Sequence, residues 1–192
     1  LSDVATLNPE SWAVKNAPLN VAYVDLANTK WGNIDKIERY EWADAPSRAR
    51  RILRPGDTIV GTVRPGNGSF TYVGEEGLTG STGFAVLRAK SPRDRGYVWC
   101  AATSQENIER LTHLADGGAY PAVRPEAVAT TKVIVPDDRV LAAFDNAVSV
   151  FLSLIEAKKA ESRTLAETRD YLLPRLMSGE VRVGYAAQEI AA

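Results

Sequence analysis

The sequence predicts an α+β chain. A compact mixed region of short strands and helices, residues 1–136, precedes one long coiled-coil-forming C-terminal helix, residues 137–178, and a tail, 179–192. Three observations predict this. Nine of the ten prolines lie at or before Pro136, and beyond it the first glycine is Gly179. The front region is filled by short apolar or alternating stretches bounded by turn residues, as strands are. The rear carries apolar residues at helical spacing.

In the front region, Val21–Leu26, Thr58–Val63, Ser69–Val73, Gly83–Ala89 and Lys132–Val135 read as strands. Val63-Arg64-Pro65-Gly66-Asn67-Gly68-Ser69 is rich in residues that favour turns, so Thr58–Val73 reads as a hairpin. A helix is expected over Asp94–Ala102. Thr103-Ser104-Gln105-Glu106 has the form of a capping box, with Thr103 capping a second helix through about Leu114 that Gly117-Gly118 ends. Pro125 suits the first position of a short helix, Pro125–Thr130.

Asp137 or Asp138 can cap the long helix and suits its positive dipole end. Phe144, Val148, Phe151 and Ile155 follow at spacings of 4, 3 and 4, and the register continues through Lys158, Ser162, Leu165, Arg169 and Leu172. This is a heptad seam with polar interruptions. A helix over Asp137–Leu173 extends ~55 Å at ~1.5 Å per residue, too long to bury its whole stripe against the front region. It needs a partner helix, with Phe144, Val148, Phe151, Ile155, Leu165 and Leu172 as the pairing seam. The alternative is a helix folded back on its own domain.

Composition narrows the chemistry. Cys100 and His113 are the only cysteine and histidine, which excludes an internal disulfide, a thiolate metal cluster and most transition-metal sites. A reducing, cytoplasmic setting is expected. No apolar run approaches the ~20 residues that span a membrane, and no membrane partner is expected. The chain opens at Leu1 without a leader-like stretch and without methionine, as a fragment or trimmed chain would.

No catalytic site, cofactor or metal is expected. His113 falls inside a helix rather than on a loop. Gly61-Thr62-Val63-Arg64-Pro65-Gly66 has the glycine spacing of a phosphate loop, but Asn67-Gly68 stands where Lys-Ser/Thr is required. Gly66 and Gly68 begin a dinucleotide fingerprint that Thr71 breaks. Asn8-Pro9-Glu10 lacks the second proline and aromatic of an adenine methyltransferase box. Glu75-Glu76 reads as a solvated turn.

The net charge is −1, so any case for nucleic acid rests on local charge. Pro46–Gly66 holds five arginines (48, 50, 51, 54 and 64) against Asp57, a local +4. Arg88, Lys90, Arg93 and Arg95 against Asp94 add +3. Guanidinium forks suit phosphates and guanine edges. Asn67, Ser69, Thr79, Ser81 and Thr82, between the basic runs, are small polar groups able to reach bases or phosphates. Such runs are equally compatible with a solvated surface.

Several motifs, in order along the chain, resemble those of type I restriction–modification specificity subunits. Leu1-Ser2-Asp3-Val4-Ala5 matches the start of a target-recognition domain. Arg54-Pro55-Gly56-Asp57 through Arg64-Pro65 resembles that family's hairpin, and Gly80-Ser81-Thr82-Gly83-Phe84 through Arg88 its following strand. Gly117-Gly118-Ala119-Tyr120-Pro121-Ala122-Val123 resembles its glycine-rich loop, Val133-Ile134-Val135-Pro136 its exit strand, and Tyr171-Leu172-Leu173-Pro174-Arg175-Leu176-Met177-Ser178-Gly179-Glu180-Val181 the end of its spacer helix. The resemblance implies a non-catalytic module that reads one half of a split double-stranded DNA target. Methyltransferase subunits and a motor-nuclease subunit are then its partners, with a second specificity half or a second copy paired through the helix. The chain is expected to be a natural half-subunit or the C-terminal half of a longer one. Residues Arg48, Arg51, Arg64, Asn67, Ser69, Ser81, Thr82 and Tyr120 are the expected DNA contacts. A helical assembly adaptor that never touches DNA, and a small enzyme with an unrecognised site, are the alternatives.

Overall fold

The computed structural model describes residues 1–115 and 120–182. Ten strands and four α-helices are described: β1 Ala5–Leu7, β2 Asn20–Val24, β3 Thr29–Lys30, β4 Asn33–Ile34, β5 Glu38–Glu41, β6 Ala49–Ile52, β7 Asp57–Gly61, β8 Phe70–Tyr72, β9 Leu78–Ser81, β10 Phe84–Ala89, α1 Arg95–Thr103, α2 Gln105–Ala115, α3 Pro125–Ala129 and α4 Asp138–Met177. This is the expected α+β class. The chain divides into two units, Leu1–Val150 and Phe151–Ala192.

In the first unit, β1-β10-β7-β8 form an antiparallel sheet and β5-β2-β9-β6 a mixed one, with β2 and β9 parallel. Side chains alternate across a strand, and β10 uses both faces. Ala85 and Leu87 pack with Val98, Ala102, Ile108, Leu111 and Val128 of α1, α2 and α3. Phe84 and Val86 pack instead with Val24, Leu53 and Leu78, toward the mixed sheet. The antiparallel sheet is therefore the middle of three layers. Full burial of Ile59, Phe84 or Leu111 contributes ~1.5–3 kcal/mol each.

The expected Thr58–Val73 hairpin is present, with Thr58 opposite Tyr72 and Val60 opposite Phe70. Pro125 opens α3, and Asp137 caps α4 by accepting the Val140 N–H at 2.9 Å. Three expectations are corrected. Lys132–Val135 is not a strand: among the described residues no strand pairs with it, and the Tyr97 hydroxyl bonds the Ile134 carbonyl instead. Thr103 does not cap α2. It closes α1, donating to the Trp99 carbonyl, and Ser104 accepts the Asn107 N–H. Four of the five residues of β2 fall within the expected Val21–Leu26, but Leu26 itself begins a 3-10 turn, Leu26–Asn28, whose first N–H the Asp25 carboxylate accepts. Strands β1, β5, β6 and β9 had no clear periodic signal. Gly117-Gly118, the expected stop of α2, lies outside the described residues, as does most of the 179–192 tail.

In the second unit α4 continues from Phe151 with Lys158–Glu161 and Lys159–Glu156 ion pairs along its surface. Phe151, Ile155 and Leu165 of the expected seam are exposed. By length and composition alone α4 is long and apolar enough to cross a membrane, one window averaging a hydropathy of 1.6. The absence of long apolar runs hid this, because Asp145, Asn146, Ser149 and Ser153 interrupt the apolar residues while the many Val, Leu, Ile, Phe and Ala around them keep the mean high.

Candidate nucleic-acid interface

The turn that joins β7 to β8 is the centre of the site. Arg64 is exposed and held in the left-handed region at φ 46°, ψ 64°. A non-glycine residue there costs on the order of 1 kcal/mol and persists only where its surroundings fix it. They do: the Arg64 N–H donates to the Pro121 carbonyl at 2.8 Å, and the Val123 N–H to the Thr62 carbonyl at 2.9 Å. Pro65 is buried below and Gly68 closes the turn at φ +70°. A side chain on Gly68 would strike the Trp31 indole, at 2.5 Å from Cε2.

Beside this turn is a cleft of about 430 Å³ lined by Leu26, Ala27, Lys30, Val63, Arg64, Asn67, Ser69 and Tyr120. It gathers four of the expected residues, Arg64, Asn67, Ser69 and Tyr120. Arg64, Asn67 and Tyr120 are exposed, whereas Ser69 is buried with its hydroxyl donating to the Leu26 carbonyl at 3.0 Å. Ser69 thus ties the Leu26–Asn28 turn to β8. Lys30 brings a second cation from a segment that carried no signal beyond one isolated lysine.

The remaining expected residues adjoin this turn system. Thr82 is exposed, and its N–H donates to the Arg48 carbonyl at 2.8 Å. Ser81 is buried and its hydroxyl accepts the Gly83 N–H at 3.2 Å. Thr62 donates through both N–H and hydroxyl to the Gly83 carbonyl, at 2.8 Å each, linking the Thr82 loop to the Arg64 loop. Arg48 reaches back to Asp25 at 2.6 Å and to the Tyr23 hydroxyl at 2.9 Å. Arg51 sits apart, half-buried, donating to Ser11 at 3.1 Å with its Nε enclosed and unbonded.

Within the basic runs that gave +4 and +3, Arg48, Arg54, Arg88 and Arg93 meet carboxylates. Arg54 pairs with Glu10 at 3.1 Å, and Arg88 pairs with both Asp57 and Glu10. Arg50 lies over the Trp42 ring at 4.5 Å. Glu10 feels this most: hydrogen bonds from Arg54 first, then Arg88, hold its carboxyl at about 2. What is left facing solvent around the cleft is a smaller set: Lys30, Arg64, Asn67, Thr82 and Tyr120, with Arg48 half engaged. It can offer forked and point-charge donors, an amide, a hydroxyl and a phenol to one ligand surface, which is the donor set for phosphates and base edges. His113 lies elsewhere, on the wall of a separate cavity with Trp31, Gly66 and Phe70.

No family model matches the chain. The HindI specificity subunit of a type I restriction enzyme from Haemophilus influenzae is 23% identical over 130 residues, which is 64% of this chain and 28% of that protein. The HsdS subunit from Thermoanaerobacter tengcongensis is 28% identical with a TM-score of 0.64, covering 98% of this chain and 50% of its own. A chain from a structure addressing complex assembly and conformational transition of the type I restriction–modification system is 28% identical with a TM-score of 0.65, at the same coverage. The chain thus spans about half the length of the solved chains it matches. The Arg-Pro-Gly-Asp hairpin, the strand after it, the long helix and this near-complete structural match agree: the chain is similar to the type I restriction–modification specificity subunits and matches one half of such a subunit.

Proposed function

We propose that the chain reads one half of a bipartite double-stranded DNA target for a type I restriction–modification complex, and does so without a catalytic site of its own. The observation that carries this is the Arg64 turn, where a strained, exposed arginine shares a cleft with Lys30, Asn67 and Tyr120. Lys30 and Arg48 suit phosphates; Arg64, Asn67 and Thr82 suit base edges. Ser69 and Ser81, bonded to main chain, set the loops rather than meet bases.

Residues 1–136 act as the reading head and 137–178 as a spacer. Half-sites on one DNA face stand ~34 Å apart or multiples of it, a distance that a helix pair of ~55 Å can bridge. The exposed Phe151, Ile155 and Leu165 take a second helix, from another copy or a second specificity half. Methyltransferase subunits dock alongside and a motor-nuclease subunit joins them, in the cytoplasm.

Selection from a random-sequence duplex library tests the proposal. The chain should enrich a common short motif and bind it with an affinity that falls steeply between about 50 mM and about 200 mM salt as counterions are released. No enrichment at low salt, with or without its methylase partners, favours the other reading suggested by the exposed seam, a helical assembly adaptor.

A further inference from the structure

The hairpin of β3 and β4 ends in a strained turn. Thr29 pairs with Ile34 and Lys30 with Asn33, leaving Trp31 and Gly32 as the two central turn residues. Their φ angles are 47° and 85°. Positive φ at both positions is the primed-turn geometry that favours Asn-Gly, Asp-Gly or Gly-Gly. Gly32 fits. Trp31 is a bulky aromatic residue in the left-handed region, where such residues are outliers.

The tip is clamped into this conformation. The Trp31 N–H donates to the Gly68 carbonyl at 2.7 Å, the Gly32 N–H to the Phe70 carbonyl at 2.8 Å, and the Thr71 hydroxyl to the Gly32 carbonyl at 2.7 Å. The indole lies over Gly68 and meets Phe70 edge-on, with ring centres 5.5 Å apart. It nevertheless stays 67% exposed. Strain and an exposed indole occur together, at a tip whose backbone bonds any residue could make.

The position of the tip indicates its use. Lys30, one residue earlier, lines the cleft with Arg64, Asn67 and Tyr120. Gly66 and Asn67 belong to a single turn; Gly66 lines the cavity that Trp31 walls, and Asn67 lines the cleft. The indole therefore adjoins the cationic cleft, next to it in the chain at Lys30 and across the Gly66-Asn67 turn.

Resting on the DNA reading above, we propose that the β3–β4 hairpin is a DNA-probing finger: Trp31 packs on the deoxyribose and base surface of the duplex while Lys30 holds the adjoining phosphate. An apolar ring face suits sugars and the thymine methyl, surfaces that hydrogen-bonding groups cannot use. The clamp gives it a fixed position, so little order is lost on binding.

Two measurements test this, with duplexes enriched on the unmutated chain as probes. Trp31→Asn installs Asn-Gly, the preferred pair for this turn, and keeps both clamping N–H groups. It should bind the enriched duplex roughly tenfold more weakly, whereas Trp31→Phe should stay near the unmutated chain. Trp31→Asn within about twofold of the unmutated chain overturns the proposal. The second measurement needs no variant. Trp12, Trp42 and Trp99 are partly buried and Trp31 alone of the four is exposed, so bound duplex should shield indole fluorescence from acrylamide. Unchanged quenching at saturating duplex overturns the proposal. A chain that enriches no duplex removes the DNA reading and this finger together, whereas a chain that binds DNA with its indole fully quenchable removes the finger alone.

Discussion

Arg88 and Asp57 face each other across β10 and β7 and join by two parallel bonds, Nε to Oδ1 and Nη2 to Oδ2, each 2.8 Å. Asp57 is almost wholly buried and also accepts the Arg54 N–H at 2.8 Å. The Arg-Pro-Gly-Asp hairpin thus owes its shape to an arginine some thirty residues further on. A buried carboxylate is tolerable only while paired.

Removing that partner should be costly. Arg88→Met leaves Asp57 enclosed without its cation, and a loss of about 3 kcal/mol is expected, at the low end for a buried pair because Arg88 is partly exposed. Denaturant unfolding checks it. A midpoint unchanged from the parent chain would mean that the pair contributes nothing net.

Acid should loosen the same network. Glu10 titrates at about 2 against an ordinary 4.5, because the folded state favours its ionised form through Arg54 and Arg88. The unfolded chain therefore takes up this proton first. The stability contributed by Glu10 is complete above about 4.5 and is lost as the pH falls from there to about 2. About a third of the Glu10 side chain is open to solvent, so screening keeps the effect modest. Glu10→Gln should flatten the melting temperature against pH across this window, and an equally steep slope in the variant would assign acid sensitivity to other carboxylates.

Arg64 should separate specificity from general affinity. If its fork reads a guanine, Arg64→Ala costs about 1–3 kcal/mol on the enriched duplex and little on random duplex. Equal losses on both would make it a phosphate contact.

The exposed face of α4 should control assembly. Phe151→Glu with Ile155→Glu places charge in the seam and should leave a monomer that still binds duplex weakly, as sedimentation and gel shifts would show. A variant that assembles like the parent chain would place the pairing surface elsewhere on the helix.

Local order determined what was legible. The β7–β8 hairpin, β10, α1, α3 and α4 could be read because each carries its own signal: turn residues between apolar runs, a proline at a first helical position, a capping aspartate before a heptad stripe. Strands β5 and β6 were missed since Glu38-Arg39-Tyr40-Glu41 and Ala49-Arg50-Arg51-Ile52 look polar, and pairing with β2 and β9 holds them in place. Lys132–Val135 shows the converse, strong strand residues that pair with no strand among the described residues.

The candidate site divides along the same line. The sequence by itself determined the turn, its arginine and the small polar residues near it, because turn chemistry and residue type are properties of neighbouring positions. It could not show which charges remain available, since Glu10 and Asp25 lie far from the arginines they meet. Nor could it show that Ser69 and Ser81 face inward, or that Lys30 and Trp31 arrive beside Arg64. Only the tertiary structure decided these, because burial and pairing depend on segments brought together from distant parts of the chain.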